Sequence, residues 1–222
     1  MIKIEEVDVF GWEAAIRGMR NPMNSWDKSD SAYGCEYSNC EDCPQSYHCP
    51  RNHNKYLVGE NDLRLMKNLS KAGNDHGKFM RMINVTLDIT APLYWWKEFD
   101  TYKTGTVANS CSTMHKIHAK EFTLDDFSRE HLFNESLEQL WFLIDKLNDY
   151  RKAFIKTKDK IFWWQIIQLL PSSYNQKRTV QLNYAVLKNM YHSRKVHKLD
   201  CWVEFCKFIE TLPYAKELIV GE

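Results

Sequence analysis

The hydrophobic and polar positions of the chain follow two periods, and their order predicts the fold. Between residues 83 and 90 apolar and polar side chains alternate, which is typical of a strand with one buried face. The sequence also predicts two more strands, over residues 2–10 and 177–182. Helical spacing predicts helices over Trp12–Met19, from Asp62 as the N-cap, after Pro92, and over about 136–156, 159–170, 183–194 and 200–211. The sequence therefore predicts one α+β domain over residues 1–222, with an antiparallel sheet packed against helices.

Length and charge narrow the class of protein. The 222 residues are enough to bury an ample core. The 30 basic and 29 acidic side chains give a net charge of +1, which provides no overall electrostatic attraction for nucleic acid or an anionic membrane. No stretch reaches the roughly 18–20 apolar residues that a membrane span requires. The N-terminus carries acidic residues where a signal peptide needs an apolar run. We therefore expect a cytoplasmic protein with reduced cysteines, no nucleic-acid partner and no membrane association.

A polar insertion at about residues 30–56 contains most of the cysteines. Cys35, Cys40, Cys43 and Cys49 are spaced C-x4-C-x2-C-x5-C. Thiolates at such spacings can close a structural zinc site, and the C-x4-C-x2-C part also resembles an iron–sulfur spacing. The alternative is an insertion whose thiols bind nothing. The sequence predicts a metal site on these four residues, with zinc ahead of iron–sulfur.

Two further features suggest a ligand site. Residues 101–116, TYKTGTVANSCSTMHK, form a polar loop directly after an aromatic run. Basic residues in the last third of the chain suit a phosphate or a pyrimidine carbonyl, although most such residues are simply solvated. The tryptophan pairs at 95–96 and 163–164 are typical of a core, and an aromatic wall for a flavin-like or pterin-like ring is the alternative.

Taken together, these segments resemble the flavin-dependent thymidylate synthases from about His76 to Arg194. That family has a histidine before a strand, an Ala-Pro helix start, a Leu-Pro, a basic residue, and N-x-R-x-L ending in Leu-Arg. The residues here that stand at the family's spacing are His76, Ala91-Pro92, Leu170-Pro171, Lys177, Asn183, Leu187, Asn189 and Arg194. The loop positions also correspond, with Thr101-Tyr102-Lys103 in place of Arg-His-Arg and Asn109–His115 in place of N-E-x-S-x-R-Y.

The departures from the family pattern lie in the site itself. Ser110 replaces a carboxylate, Met114 and Ala185 replace arginines, and Glu98 replaces a glutamine that faces the base. A planar bidentate cation is poorly replaced by Thr or Met. The resemblance therefore implies a nucleotide- and flavin-facing loop from which much of the charge has been removed.

The resemblance implies a homotetramer that reductively methylates dUMP to dTMP. Methylenetetrahydrofolate would be the carbon donor, NADPH the reductant and FAD the hydride carrier, and no catalytic residue is assigned. It implies FAD contacts at His76, Tyr102, Lys103, Asn183 and Asn189. It implies nucleotide contacts at Glu98, Thr101, Ser110, Ser112, Lys177 and Arg194.

Two alternatives to the synthase remain open. The first is an enzyme that modifies another pyrimidine nucleotide, for example by hydroxymethylation. Glu98 motivates it, because a carboxylate accepts a hydrogen bond from a cytosine amino group but opposes a uracil carbonyl. The second is a nucleotide-binding protein that kept the fold without catalysis, because a fold does not fix a function.

Overall fold

The computed structural model of the protein describes residues 2–34 and 55–221. Its strands are β1 (Lys3–Phe10), β2 (Ala32–Gly34), β3 (Lys55–Leu57), β4 (Asn84–Pro92), β5 (Val107–Ser110) and β6 (Asn175–Asn183). Its α-helices are α1 (Trp12–Arg20), α2 (Glu60–Lys71), α3 (Leu93–Phe99), α4 (Asn134–Thr157), α5 (Lys160–Leu169), α6 (Tyr184–Arg194) and α7 (Asp200–Glu210).

Backbone contacts separate the chain into two compact units. Unit 1 comprises Met1–Val7, Thr86–Gln181 and Arg194–Lys207. Unit 2 comprises Asp8–Val85, Leu182–Ser193 and Phe208–Glu222. A single domain over residues 1–222 stays a prediction.

A four-stranded sheet, in the order β1-β4-β6-β5, lies mostly in unit 1. β5 pairs antiparallel with β6, with Val107 opposite Gln181 and Ser110 opposite Arg178. Along β4 the side chains alternate between buried and half-buried, because successive residues of a strand point to opposite faces. The alternating pattern therefore predicted β4 correctly, and the mixture of helices and antiparallel sheet confirms the α+β class.

Helices α4 and α5 pack against each other in unit 1. Asp159 caps α5, because its Oδ1 accepts a hydrogen bond of 2.9 Å from the backbone N–H of Ile161. The buried side chains beneath these helices form one apolar cluster: Ile117, Phe122, Phe127, Leu140, Ile144, Leu147 and Ile166. Among the described residues, no helix is long and apolar enough to cross a membrane.

Unit 2 contains α1, α2 and most of α6, with a buried ion pair joining the first two helices. Arg20 Nε lies 2.6 Å from Asp62 Oδ1, and the two side chains are 5% and 0% exposed. Asp62 also accepts hydrogen bonds of 2.6 Å from the hydroxyls of Ser29 and Ser31. The prediction that Asp62 caps α2 is therefore wrong: the helix begins at Glu60, and the Asp62 carboxylate binds Arg20 and the two hydroxyls instead.

Candidate functional site

An ion pair between α3 and the end of α6 forms the centre of the candidate site in unit 1. Arg194 Nη1 lies 2.6 Å from Glu98 Oε2, and the side chains are 20% and 34% exposed. The same oxygen accepts a hydrogen bond of 3.0 Å from the indole N–H of Trp202, and His197 Nε2 lies 3.3 Å from it. Arg194 Nε donates to the hydroxyl of Tyr102 at 2.9 Å. We call Glu98, Tyr102, Arg194, His197 and Trp202 the Arg194 cluster.

Aromatic rings hold the guanidinium group of Arg194 in place. Its central carbon lies 4.9 Å from the ring centroid of Trp202 and 5.6 Å from that of Tyr102, which is within the range of cation–π attraction. Trp202 is fully buried and contacts the buried rings of Trp95 and Phe205. Because these rings are packed in the core of unit 1, the guanidinium plane has a fixed orientation.

The Arg194 cluster leaves one donor and one acceptor for a ligand. All the donors that contact the Glu98 carboxylate reach Oε2, and none of the described residues hydrogen-bonds to Oε1. Arg194 uses Nε and Nη1, and Nη2 makes no hydrogen bond within the described part of the chain. The partly exposed carboxylate therefore keeps an acceptor, and the guanidinium group paired with it keeps a donor, for a ligand that carries both kinds of polar atom.

The polar loop begins as a tight turn after α3 and continues into β5. The hydroxyl of Thr101 donates to the carbonyl oxygen of Glu98 at 2.7 Å, so this side chain closes the end of the helix. Lys103 is exposed, and among the described residues no carboxylate pairs with its ammonium group. Ser110 ends β5 and is exposed. No sequence pattern predicts β5, because its four residues, VANS, do not alternate between apolar and polar.

Ser112 follows β5, and its side chain organises the next turn. Its Oγ accepts hydrogen bonds from the backbone N–H groups of Met114, at 3.1 Å, and His115, at 2.8 Å. The hydroxyl can still donate, so Ser112 remains suitable as a donor to a phosphate oxygen. The structure does not bring it into hydrogen-bonding contact with any described member of the Arg194 cluster.

Lys177 lies on β6 between two carboxylates. Its Nζ is 2.9 Å from Asp88 Oδ2 and 3.7 Å from Glu5 Oε2. The hydrogen bond with Asp88 raises the pKa of Lys177 above its ordinary value, and the charge of Glu5 adds to this rise. Hydrogen bonds from Thr179 and Lys177 lower the pKa of Asp88. Lys177, the residue predicted to bind the phosphate, is therefore charged but already paired with carboxylates. It makes no ion pair with Glu98.

The next residue of β6, Arg178, points to the other face of the sheet. Its Nη1 lies 2.7 Å from Asp100, and its guanidinium carbon lies 4.2 Å from the ring centroid of Trp96. This alternation follows from the period of two along a strand. Lys177 and Arg178 therefore cannot act as one basic pair.

The remaining predicted FAD ligands lie in unit 2. Asn183 Oδ1 accepts a hydrogen bond of 3.0 Å from the backbone N–H of Val186, so this side chain caps α6. Asn189 Oδ1 lies 3.4 Å from the hydroxyl of Ser193. His76 is exposed and precedes the short helical turn Gly77–Arg81. The roles of these three residues stay predictions.

The four cysteines of the predicted metal site, Cys35, Cys40, Cys43 and Cys49, lie outside the described residues. Across residues 2–34 and 55–221, no three His, Cys, Asp or Glu side chains are grouped as metal ligands. The metal site stays a prediction.

Two members of the Arg194 cluster were not predicted from the sequence. Trp202 and His197 contact Glu98 only because α7 and the segment before it pack beside α3 in unit 1. No local pattern carries this information, although Trp202 stands only eight positions after Arg194. Glu98, Thr101, Tyr102 and Arg194 were predicted, and the structure brings them together.

Comparison with known proteins supports the fold. No protein-family model matches the chain, and no curated protein matches its sequence. Among solved structures, thymidylate synthase X (ThyX) from Helicobacter pylori with FAD and dUMP has a TM-score of 0.65 and 14% identity, covering 99% of this chain and 97% of that one. A second structure of the flavin-dependent enzyme from Helicobacter pylori, complexed with FAD and dUMP, has a TM-score of 0.63 and 14% identity, covering 96% and 97%.

A third solved structure also matches the chain. The UMP/dUMP methylase PolB from Streptomyces cacaoi, bound with 5-Br dUMP, has a TM-score of 0.53 and 14% identity, covering 86% of this chain and 76% of that one. The chain therefore has the fold of the flavin-dependent thymidylate synthases, as its sequence predicted.

Proposed function

We propose that the chain is a divergent flavin-dependent thymidylate synthase, which reductively methylates dUMP to dTMP with methylenetetrahydrofolate as carbon donor and NADPH as reductant. The observation that carries the proposal is the Arg194 cluster, in which Glu98 keeps an acceptor and Arg194 a donor for a ligand, in a fold whose solved examples hold FAD and dUMP. A planar base with adjacent polar atoms suits this pair.

The nucleotide contacts of the proposal follow from the available atoms. Glu98 Oε1 accepts from the N3–H of uracil, while Arg194 Nη2 donates to the neighbouring carbonyl oxygen. The family resemblance implies that Lys177 and Ser112 bind the phosphate, with Thr101 and Ser110 beside the nucleotide. Arg178 pairs with Asp100 at the end of α3, and Lys177 points to the opposite face of the sheet, so the Lys177 that completes this site belongs to another copy of the chain in the proposed tetramer. This geometry requires Lys177 to exchange its contact with Asp88 for a phosphate oxygen, so the phosphate competes with a carboxylate.

The FAD contacts of the proposal are those that the family resemblance implies: His76, Tyr102, Lys103, Asn183 and Asn189. Lys103 fits this role because its ammonium group is exposed and, among the described residues, no carboxylate neutralises it. Bound FAD supplies the reducing equivalents of the methylation. The chain's own residues bind and orient the two ligands.

An assay of product formation tests the proposed function. The purified protein should be yellow or become so with added FAD, and with dUMP, methylenetetrahydrofolate and NADPH it should form dTMP that chromatography detects. The Arg194→Ala variant should form much less product. A protein that binds dUMP but neither binds flavin nor forms dTMP would contradict the synthase and leave the non-catalytic alternative.

A second candidate function rests on the unpaired Glu98 Oε1. The same donor–acceptor pair also matches cytosine, because Oε1 can accept from the N4 amino group while Arg194 Nη2 donates to N3. In that case the protein modifies a cytosine nucleotide, for example by hydroxymethylation. Calorimetric titration with dUMP and dCMP separates the two, since tighter binding of dCMP favours this candidate.

The proposed assembly is a homotetramer, because the family resemblance implies flavin sites built from several chains. Large apolar side chains such as Phe133, which is 84% exposed, and Phe142, which is 70% exposed, are suited to an interface. Light scattering should give the mass of four chains. A monomer over a wide range of concentration would contradict the assembly.

A further inference from the structure

A cavity of about 450 Å³ lies in unit 1 between the end of the polar loop and helices α4 and α5. Its walls are Met114, His115, His118, Phe154, Lys160, Trp163 and Trp164. No member of the Arg194 cluster lines it, so it is separate from the proposed contacts with the base. Its volume lies in the range of pockets that bind small organic molecules.

Aromatic rings form two walls of the cavity. The rings of Trp163 and Trp164 lie 4.9 Å apart at 69°, and those of His118 and Phe154 lie 4.8 Å apart at 76°. The indole N–H of Trp163 donates to the carbonyl oxygen of Met114 at 2.9 Å, which ties the loop to α5. Trp164 is 47% exposed, so a large apolar face is available to a ligand. Such faces favour a planar ring.

The charge of the cavity favours an anion. Lys160 and two histidines line it, and none of the seven lining residues is a carboxylate. The carboxylate nearest in sequence, Asp159, accepts a hydrogen bond from Ile161 at the start of α5. Burial lowers the pKa of His118, and the positive charges of Lys116, Lys158 and Arg151 lower it further. Lys160 is therefore the fixed positive charge of the lining, and no lining residue opposes it with a negative charge.

One polar atom of the lining residues lacks a partner. Nδ1 of His118 is buried, and it has no hydrogen bond with any described residue. A buried polar atom without a partner is rare, because burial removes it from water and leaves its hydrogen-bonding capacity unused.

We propose that this cavity is a second binding site, which takes a planar aromatic anion: a conjugated ring bearing a carboxylate or phosphate. The ring lies against Trp164 and Trp163, and the anionic group pairs with Lys160. This inference rests on the cavity alone and does not depend on the function proposed for the Arg194 cluster.

Three small probes test the proposal by calorimetric titration of the whole protein. 2-Naphthoate is a planar aromatic anion, 2-naphthamide is its neutral counterpart, and cyclohexanecarboxylate is an anion without an aromatic ring. The protein should bind 2-naphthoate more tightly than either of the others. Equal binding of the naphthoate and the naphthamide would overturn the role of the charge, and equal binding of both carboxylates would overturn the role of the rings.

Variants of exposed residues locate the binding. Trp164→Ala should weaken naphthoate binding by about three- to tenfold, from the loss of ring contact, and Lys160→Gln by about two- to fivefold. Trp26→Ala is the matched control, because Trp26 is 50% exposed and does not line the cavity. Unchanged binding in Trp164→Ala and Lys160→Gln would overturn the proposal.

Two further measurements distinguish this cavity from the Arg194 cluster and from an interface between chains. Arg194→Ala should leave naphthoate binding unchanged, and Trp164→Ala should leave dUMP binding unchanged, so failure of one site is distinguishable from failure of the other. Sedimentation of Trp164→Ala should match that of the unaltered protein. A smaller assembly would show that a second copy of the chain covers the cavity, and it would overturn the ligand site.

Discussion

The carboxylate of Glu98 and the guanidinium group of Arg194 lie 2.6 Å apart, although 96 residues separate them in the sequence. This contact offsets most of the charge of Arg194. In the proposed function the cluster therefore recognises the base by hydrogen bonds and attracts phosphate little, and the family resemblance implies Lys177 as the phosphate contact. Separate variants can test these two roles.

Replacing Glu98 by Gln should change the hydrogen-bonding character of the site. The side-chain oxygen should keep the donors from Arg194 and Trp202, which leaves the amide NH2 at the position of Oε1. An N–H of the base would then face a donor. The pose in which Oε1 accepts from the N3–H of uracil predicts that dUMP affinity falls by about 10- to 100-fold, and calorimetry measures it. An unchanged or higher dUMP affinity would contradict that pose, because the glutamine would then donate to a uracil carbonyl, as the family resemblance implies for this position.

The affinities of Glu98→Gln for dUMP and dCMP also identify the base that the wild-type protein binds. If dCMP affinity falls and dUMP affinity does not, Glu98 accepts from the cytosine amino group and the second candidate function is favoured. If neither affinity changes, Glu98 does not contact the base.

Replacing Asp88 by Asn should strengthen nucleotide binding. The asparagine can keep a hydrogen bond with Thr179, but it no longer pairs with Lys177 as an anion. Only Glu5 then competes with phosphate for Lys177, and we expect an affinity gain of about two- to fivefold that declines with added salt. Calorimetric titration at low and moderate salt measures it.

Asp100→Asn is the matched control for Asp88→Asn. Asp100 pairs with Arg178, the neighbour of Lys177 on β6, so this change also removes one negative charge from an ion pair of that strand. Nucleotide affinity should stay unchanged in Asp100→Asn. An equal gain in both variants would indicate a general charge effect and would argue against Lys177 as the phosphate ligand.

The buried pair of Arg20 and Asp62 should dominate the electrostatic contribution to the stability of unit 2. Asp62→Asn leaves Arg20 buried without its anion, so we expect a loss of about 3–5 kcal/mol in the free energy of unfolding. Glu13→Gln is the control, because the Glu13–Arg17 pair is exposed, and it should cost at most about 1 kcal/mol. Urea unfolding measures both. Similar losses in the two variants would contradict the account.

The same ion pair should make stability depend on pH. Burial alone would raise the pKa of Asp62, but hydrogen bonds from Ser29, Ser31 and Arg20 and the charge of Arg20 lower it below its ordinary value. The unfolded carboxyl has a pKa of about 3.9, so this contribution is present above that pH and is lost as the pH falls through the lower folded value. Below about pH 4, unfolding free energy should fall less steeply in Asp62→Asn than in the wild type.

Local pattern predicted the regular elements well and the contacts between them poorly. The alternation in β4 and the apolar spacing in α4 both follow from burial on one face of the element. Such burial appears in the sequence as a periodic pattern of apolar residues. β5 was missed because all four of its residues are exposed, so no apolar pattern marks it. Asp62 was mistaken for a cap because its ion partner, Arg20, lies 42 residues earlier.

The candidate site shows the same limit. Family spacing predicted Glu98 and Arg194 as nucleotide contacts, and the structure places the two side chains in contact, while their contact with a nucleotide stays a prediction. Trp202 was missed because its hydrogen bond to Glu98 depends on the packing of α7. The pairing of Lys177 with Asp88 was also missed, because it depends on the register between neighbouring strands.

Titration of dUMP into the wild-type protein and into Arg194→Ala tests the central claim most directly, with Lys198→Ala as a control for loss of an exposed cation. We expect the wild type and Lys198→Ala to bind alike, and Arg194→Ala to lose about 1.5–3 kcal/mol, the usual worth of a charge-assisted hydrogen bond. Circular dichroism of each variant confirms that it is folded. If the wild type binds neither dUMP nor dCMP at millimolar concentration, or if folded Arg194→Ala binds dUMP as well as the wild type does, the Arg194 cluster is not a nucleotide site.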